Sequence, residues 1–136
     1  MNRWAERLRN DDRGSSPVQM AIIMPIALLF TLCIVQGFMW SYARHAAYAA
    51  ARDGLQAGRM YEATPADGAA HAREALDRYA GDFLSNRTVS SAGSTAETVE
   101  IRVHGTAISM IPGIDSFQIN AVAAGPVERW TVPGED

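Results

Sequence analysis

The chain has 136 residues and a formal net charge of -3, which allows one domain of ordinary size and excludes two large ones. It lacks the basic excess of a nucleic-acid-binding surface, so we exclude nucleic acid as a partner. Its single cysteine, Cys33, excludes an internal disulfide and a cysteine-based zinc site.

The first predicted element is a helix that crosses a membrane. Residues 14–43 include no charged side chain, and residues 18–40 supply the run of about 20 apolar positions that a spanning helix needs. Trp40 and Tyr42 stand where interfacial aromatic residues are expected. A buried helix of a soluble protein is the alternative, but so short a chain has little other apolar mass to surround it. We predict a transmembrane segment over residues 14–43, with its lipid core at about 18–40.

Flanking charge predicts the orientation of this segment. Four arginines precede it, and the positive-inside rule places such an end in the cytoplasm: Arg3, Arg7, Arg9 and Arg13. Residues 1–13 are therefore a predicted cytoplasmic leader, and the chain from residue 44 onward is predicted to lie outside. A secretory signal cut near Ala50 is the alternative, although the apolar run exceeds the usual signal length of about 7 to 15 residues.

The helix is predicted to continue beyond the membrane, from near Ser16 to near Met60, with residues 44–62 as its outer extension. Pro25 is expected to bend it without ending it, and Thr31 to bond back to its own helix. Small residues recur at spacings of three and four and form one stripe that another helix could approach closely: Ala43, Ala47, Ala50, Gly54 and Ala57. The alternative is that alanine is simply the best helix former.

Two blocks of this region carry a family resemblance. The stretch Arg13-Gly-Ser-Ser-Pro-Val-Gln19, the apolar run with Pro25, and then Ala-Ala-Arg-Asp-Gly54 resemble the TadE-like family, the pseudopilins of tight-adherence (Flp) pili. The resemblance covers residues 13 to about 58. It implies a bacterial plasma-membrane protein whose partners are other pseudopilin subunits and a pilus or secretion platform.

The resemblance also implies processing by a prepilin peptidase. The cut would follow Gly14 and leave Ser15 as the new amino terminus. In pilin-like proteins a glutamate five residues after the cut pairs with a neighbour's terminal ammonium. Gln19 holds that position here and carries no charge, which departs from the family pattern.

A second, amphipathic helix is predicted over residues 65–84. Thr64 can cap it, Pro65 suits its first position, and Asp67 can complete a capping box. Its apolar residues, which extend to Phe83 and Leu84, share one face. We expect this helix to fold back on the outer part of the first.

The sequence after the second helix predicts a small antiparallel sheet. Val99, Ile101 and Val103 alternate with polar residues, and so do Phe117, Ile119, Ala121 and Ala123, with a turn at Pro112-Gly113 between the two strands. Residues 88–89 and 127–132 are predicted to add a short pairing and an edge. The apolar residues Ile108, Met110, Ile111 and Ile114 are predicted to close the core, with contact to the membrane or another subunit as the alternative. The fold class is α+β, with residues 63–136 as the head.

Residues suited to catalysis are scattered. His45, His71 and His104 fall on three different elements and lack metal-site spacing, so we predict no catalytic residue, no metal and no cofactor. The predicted function is that of a single-pass TadE-like pseudopilin or minor assembly component. Two alternatives remain: an uncleaved anchored structural or binding protein, and a small secreted enzyme or ligand-binding protein.

Overall fold

The structure, a computed structural model, describes residues 12–129, with side chains described from residue 17 onward. Its elements are helix α1 (Asp12–Arg59), helix α2 (Pro65–Ala80), a short 3-10 helix (Gly81–Phe83), and strands β1 (Leu84–Ser90), β2 (Thr98–Ala107) and β3 (Phe117–Pro126). The predicted α+β class, with a long first helix, a second helix and a small antiparallel sheet, is confirmed. Most of the predicted leader, residues 1–11, lies outside the described residues.

Helix α1 is 48 residues long and begins four residues earlier than predicted. It continues through Pro17 and Pro25, as expected for Pro25. The hydroxyl of Thr31 donates to the carbonyl of Ala27 at 2.9 Å, which is the predicted bond back to its own helix.

Helix α2 begins with the predicted capping box. The N–H of Asp67 donates to the Thr64 hydroxyl oxygen at 3.2 Å, and the N–H of Thr64 donates to the Asp67 carboxylate at 2.9 Å. The hydrogen bonds from Thr64, the side-chain one foremost, lower the pKa of the Asp67 carboxyl. The charged carboxylate also lies at the positive end of the helix dipole.

The predicted end of α2 at residue 84 is wrong. The helix ends at Ala80, and Gly81 follows with φ of 48°, a left-handed conformation that glycine adopts without strain. Leu84 instead begins β1 and is buried on the inner face of the sheet. Its apolar position fits the helix face and the strand face equally well, so the pattern did not separate the two.

The sheet has the strand order β1-β2-β3 and is antiparallel throughout. Strand β2 is central, with Ile101 opposite Ala123 and Val103 opposite Ala121. The predicted pairing at residues 88–89 is part of a seven-residue strand.

The predicted edge at residues 127–132 is wrong over 127–129, which form no strand. There the N–H of Val127 donates to the Glu97 carbonyl at 2.9 Å, and that of Glu128 donates to the Arg59 carbonyl at 3.3 Å. Residues 130–132 lie outside the described residues.

One face of the sheet forms the core together with both helices. Val99, Ile101 and Val103 from β2 lie fully buried in a cluster with the alanines of α1 and α2. The chain divides into two compact units between Val35 and Gln36, and the whole of this core lies in the second. The predicted boundaries at residues 43 and 62 separate the membrane segment, the outer extension of the helix and the head. They depend on where the bilayer ends, which the fold does not define, so they stay predictions.

Candidate functional site

The first part of α1 is an apolar helix that no other element within residues 12–129 covers. The stretch of α1 from Pro17 onward is long and apolar enough to cross a membrane, and none of its most apolar 18-residue window is buried. Val18 and Leu28 expose 63% and 69% of their surfaces. Such a surface needs apolar surroundings from outside the chain, and this one helix fits a single-pass membrane protein.

The predicted processing residues lie at the beginning of this helix. Gly14 and Ser15 belong to the first turn of α1, and Gln19 follows one turn later with an exposed side chain. Gln19 is therefore available to another molecule at this end of the helix. The structure does not test the cut itself, which stays a prediction.

The predicted small-residue stripe lies on the outer half of α1. Ala43, Ala47, Ala50 and Gly54 are buried in the core of the head, and Ala57 is half-buried. The helix that approaches this stripe is the chain's own α2. A role of the stripe in contacts between subunits stays a prediction.

Helices α1 and α2 touch backbone to backbone. A Cβ atom on Gly54 would lie 2.6 Å from the carbonyl oxygen of Gly68 and 2.5 Å from the Cβ of Ala72. One turn later, a Cβ on Gly58 would lie 3.2 Å from the Cα of Gly68. This crossing therefore requires glycine at position 54 and leaves little room for a side chain at position 58. The sequence pointed to Gly54 and not to Gly58 or to their partners.

Tyrosine side chains fasten the far end of α2 to the same helix. The hydroxyl of Tyr79 donates to the carboxylate of Asp53 at 2.7 Å, and that of Tyr42 donates to the backbone carbonyl of Tyr79 at 2.9 Å. The bond to Asp53 raises the pKa of the Tyr79 phenol, which favours the protonated donor. In the Arg-Asp-Gly54 block, Asp53 and Gly54 thus both hold α2 in place, while the Arg52 side chain is exposed.

An aromatic and basic stripe occupies another face of α1. The guanidinium of Arg44 lies 5.5 Å from the ring centre of Trp40 and 5.8 Å from that of Tyr48. These residues follow one another at intervals of four, so they stack along one side of the helix. A shallow cleft of about 730 Å³ extends along this side to Arg52. The stripe presents positive charge directly beyond the apolar segment.

Gln36 is the one buried polar side chain on the described part of α1. Its Nε2 donates to the carbonyl of Ile108 at 3.0 Å, and its Oε1 accepts from the N–H of Met110 at 2.8 Å. Both partners belong to the loop between β2 and β3, residues 108–116. Sequence reasoning missed this contact, although an amide at the edge of an apolar run is a signal for a specific partner.

Replacing Gln36 by leucine is expected to destabilise the head by about 1–3 kcal/mol, because the Ile108 carbonyl and the Met110 N–H lose their partner. The measurement is urea unfolding of the full chain in detergent, followed by near-ultraviolet circular dichroism. Gln56→Leu is the matched control, since Gln56 is exposed on the same helix. An equal effect of both substitutions would contradict the role given to Gln36.

The three histidines lie apart, on α1, α2 and β2, and all are exposed. His104 hydrogen-bonds to Asn120 on the outer face of the sheet. Within residues 12–129 no three histidine, cysteine or acidic side chains gather in a way that could hold a metal ion.

A known protein family matches part of the chain. The model of the TadE-like protein family matches residues 14–61, about a third of the chain, which confirms the resemblance inferred from the Gly14 and Gly54 blocks. No curated protein and no solved structure matches the chain. The matched residues run from the predicted cut through the apolar segment to the close crossing with α2.

Proposed function

We propose that this chain, which carries a TadE-like segment at residues 14–61, is a pseudopilin or minor assembly component of a tight-adherence pilus or a related secretion machine. The match associates it with the pilus machinery at the membrane, in a family whose members are structural. The pseudopilin role, the platform and fellow pseudopilin subunits as partners, and processing by a prepilin peptidase are our proposals.

The observation that carries this proposal is where the match lies. It covers an apolar helical segment whose side chains are left exposed by residues 12–129, together with the Gly54 block on which α2 packs. A subunit drawn from a bilayer into a filament needs an apolar helix and a folded head on one chain. The Gly54 crossing and the Tyr79–Asp53 bond hold α2 against the outer half of α1, within that head.

The orientation that we propose is amino terminus in the cytoplasm and head outside. Its support is the set of four arginines before the apolar segment. Cleavage after Gly14 would remove all four and leave the helix beginning at the inner membrane face. We place the protein in the bacterial plasma membrane because of its TadE-like segment.

An uncleaved, non-polymerising anchor is the second candidate, and Gln19 favours it because an amide cannot form the charge pair of a pilin glutamate. A secreted form cut near Ala50 is less consistent with the fold. Ala43, Ala46 and Ala47 belong to the head's core, and a cut near Ala50 would remove them.

The mature amino terminus separates the three possibilities. We expect mass spectrometry of the full protein, expressed with a prepilin peptidase, to find Ser15 at the amino terminus, and Met1 when the peptidase is inactivated. Met1 under both conditions would contradict processing and support the static anchor. A terminus near Ala50 would support the secreted form.

Restoring the charge tests assembly separately. Gln19→Glu is expected to raise the yield of crosslinked oligomer with like subunits several-fold, because a gain of about 1 kcal/mol multiplies an equilibrium constant about five-fold. Gln19→Asn is the matched control, since it retains an amide and adds no charge. Equal oligomer yields from both variants would count against pilin-like pairing at this position.

A further inference from the structure

We propose that the loop between β2 and β3, residues 108–116, is a second membrane contact, which inserts its apolar side chains into the interfacial layer of the leaflet beside α1. The inference rests on the proposed function in that it needs α1 to span the bilayer. Beyond that function, the head itself would touch phospholipid through this loop.

The first support is the depth at which the loop is held. Its Ile108 carbonyl and Met110 N–H both bond to the side chain of Gln36. Gln36 precedes Trp40 by one helical turn, which at 1.5 Å per residue is about 6 Å along the axis. If Trp40 marks the membrane interface, the loop lies on the membrane side of that level.

Arg44, on the outer side of Trp40, supports the same depth for the loop. It follows Trp40 by four residues, again about 6 Å along the axis. Each headgroup layer of a bilayer is about 5–7 Å thick, so the guanidinium reaches the level of the lipid phosphates. A leaflet is charged at its headgroups and apolar beneath them. The Arg44 cation stacked on Trp40 lies at the headgroup level, and the apolar loop lies one helical turn below Trp40.

The second support is the character of the loop surface. Ile108, Met110 and Ile114 expose 42%, 56% and 44% of their surfaces, so these side chains do not close the core as predicted from the sequence. The ten residues from 105 to 114 include no charge, and Asp115 is the first charged residue after them. Exposed apolar residues grouped in this way are typical of a surface that contacts a membrane or a partner.

The third support is the pairing of the loop's backbone. Irregular backbone is costly in an apolar medium unless its polar groups are bonded. Gln36 satisfies one carbonyl and one N–H, the Ile114 N–H donates to the Ile111 carbonyl at 3.2 Å, and the Ile111 N–H donates to the Ser109 hydroxyl oxygen at 3.3 Å. The loop can therefore enter the interfacial layer with these polar groups already paired.

The test is depth-dependent fluorescence quenching on the full chain in phosphatidylcholine–phosphatidylglycerol vesicles. A polarity-sensitive dye is attached at Met110→Cys or Ile114→Cys in a Cys33→Ser background. Val122→Cys in the same background is the matched control, because Val122 is an exposed apolar residue on the outer face of the sheet. The unmodified chain labelled at its exposed Cys33 reports the span itself.

We expect a lipid carrying a shallow spin label to quench the dye at positions 110 and 114 at least about twofold more than at 122, with aqueous iodide showing the reverse order. Iodide quenching at 110 and 114 equal to that at 122 would overturn the proposal. Protection from both quenchers would also overturn it, since a second copy of the chain would then cover the loop. If a deep spin label fails to quench the dye at Cys33, the membrane-spanning function fails; if only the loop positions fail, the function stands without this contact.

Discussion

Replacing Ile101 by alanine is expected to lower the free energy of unfolding of the head by about 2–5 kcal/mol, the range for removing a large aliphatic side chain from a core. Ile101 is fully buried in the central strand and is among the largest such side chains in the head. The core consists mostly of alanines and has only a few large side chains, so the loss of one removes a large share of the buried apolar surface. Small heads are only marginally stable, so this loss is expected to be large relative to their total stability.

The measurement for Ile101→Ala is urea unfolding of the full chain in detergent, with near-ultraviolet circular dichroism to report tertiary packing. Val122→Ala is the matched control, since Val122 lies on the neighbouring strand with its side chain exposed. It should change the free energy by no more than about 0.5 kcal/mol. Equal losses in the two variants would contradict the assignment of the sheet's inner face.

Gly54→Ala is expected to have the second large effect, a loss of about 1–3 kcal/mol from overpacking. The added methyl group would lie 2.6 Å from the Gly68 carbonyl oxygen, so the helices must separate. This loss should appear even though alanine favours an isolated helix over glycine by about 1 kcal/mol.

Gly37→Ala is the matched control for Gly54→Ala. It makes the same chemical change in the same helix, at a position where an added Cβ meets no atom within 4 Å. In heat and urea unfolding, Gly54→Ala should therefore lower the melting temperature and the free energy of unfolding, and Gly37→Ala should raise both. Stabilisation by both would show that the close crossing of α1 and α2 does not exist.

The elements of this fold were predictable where local pattern decides them. The charge-free run before residue 44 predicts one long apolar helix, Thr64 and Asp67 predict the beginning of α2, and alternation at Val99 to Val103 predicts β2. The end of α2 was missed because the apolar position of Leu84 suits a helix and a strand alike. The local sequence pattern predicts that a residue lies on a buried face, but it does not decide whether that face belongs to a helix or a strand.

The contacts that define the candidate site were less predictable because they join distant residues. Gln36 bonds to Ile108, 72 residues away, and nothing near Gln36 in the sequence identifies that partner. The small-residue stripe was predicted as a packing face, with good helix formers as the alternative. Which helix approaches such a stripe depends on the tertiary fold. The exposure of Ile108, Met110 and Ile114 likewise depends on where Gln36 holds the loop.

The central claim is that the apolar first part of α1 lies in lipid. Alkaline carbonate extraction of bacterial membranes that contain the full-length chain tests it most directly. The account predicts that the protein stays in the membrane pellet and is released only by detergent. Recovery of a soluble, monomeric full-length chain without detergent would contradict it.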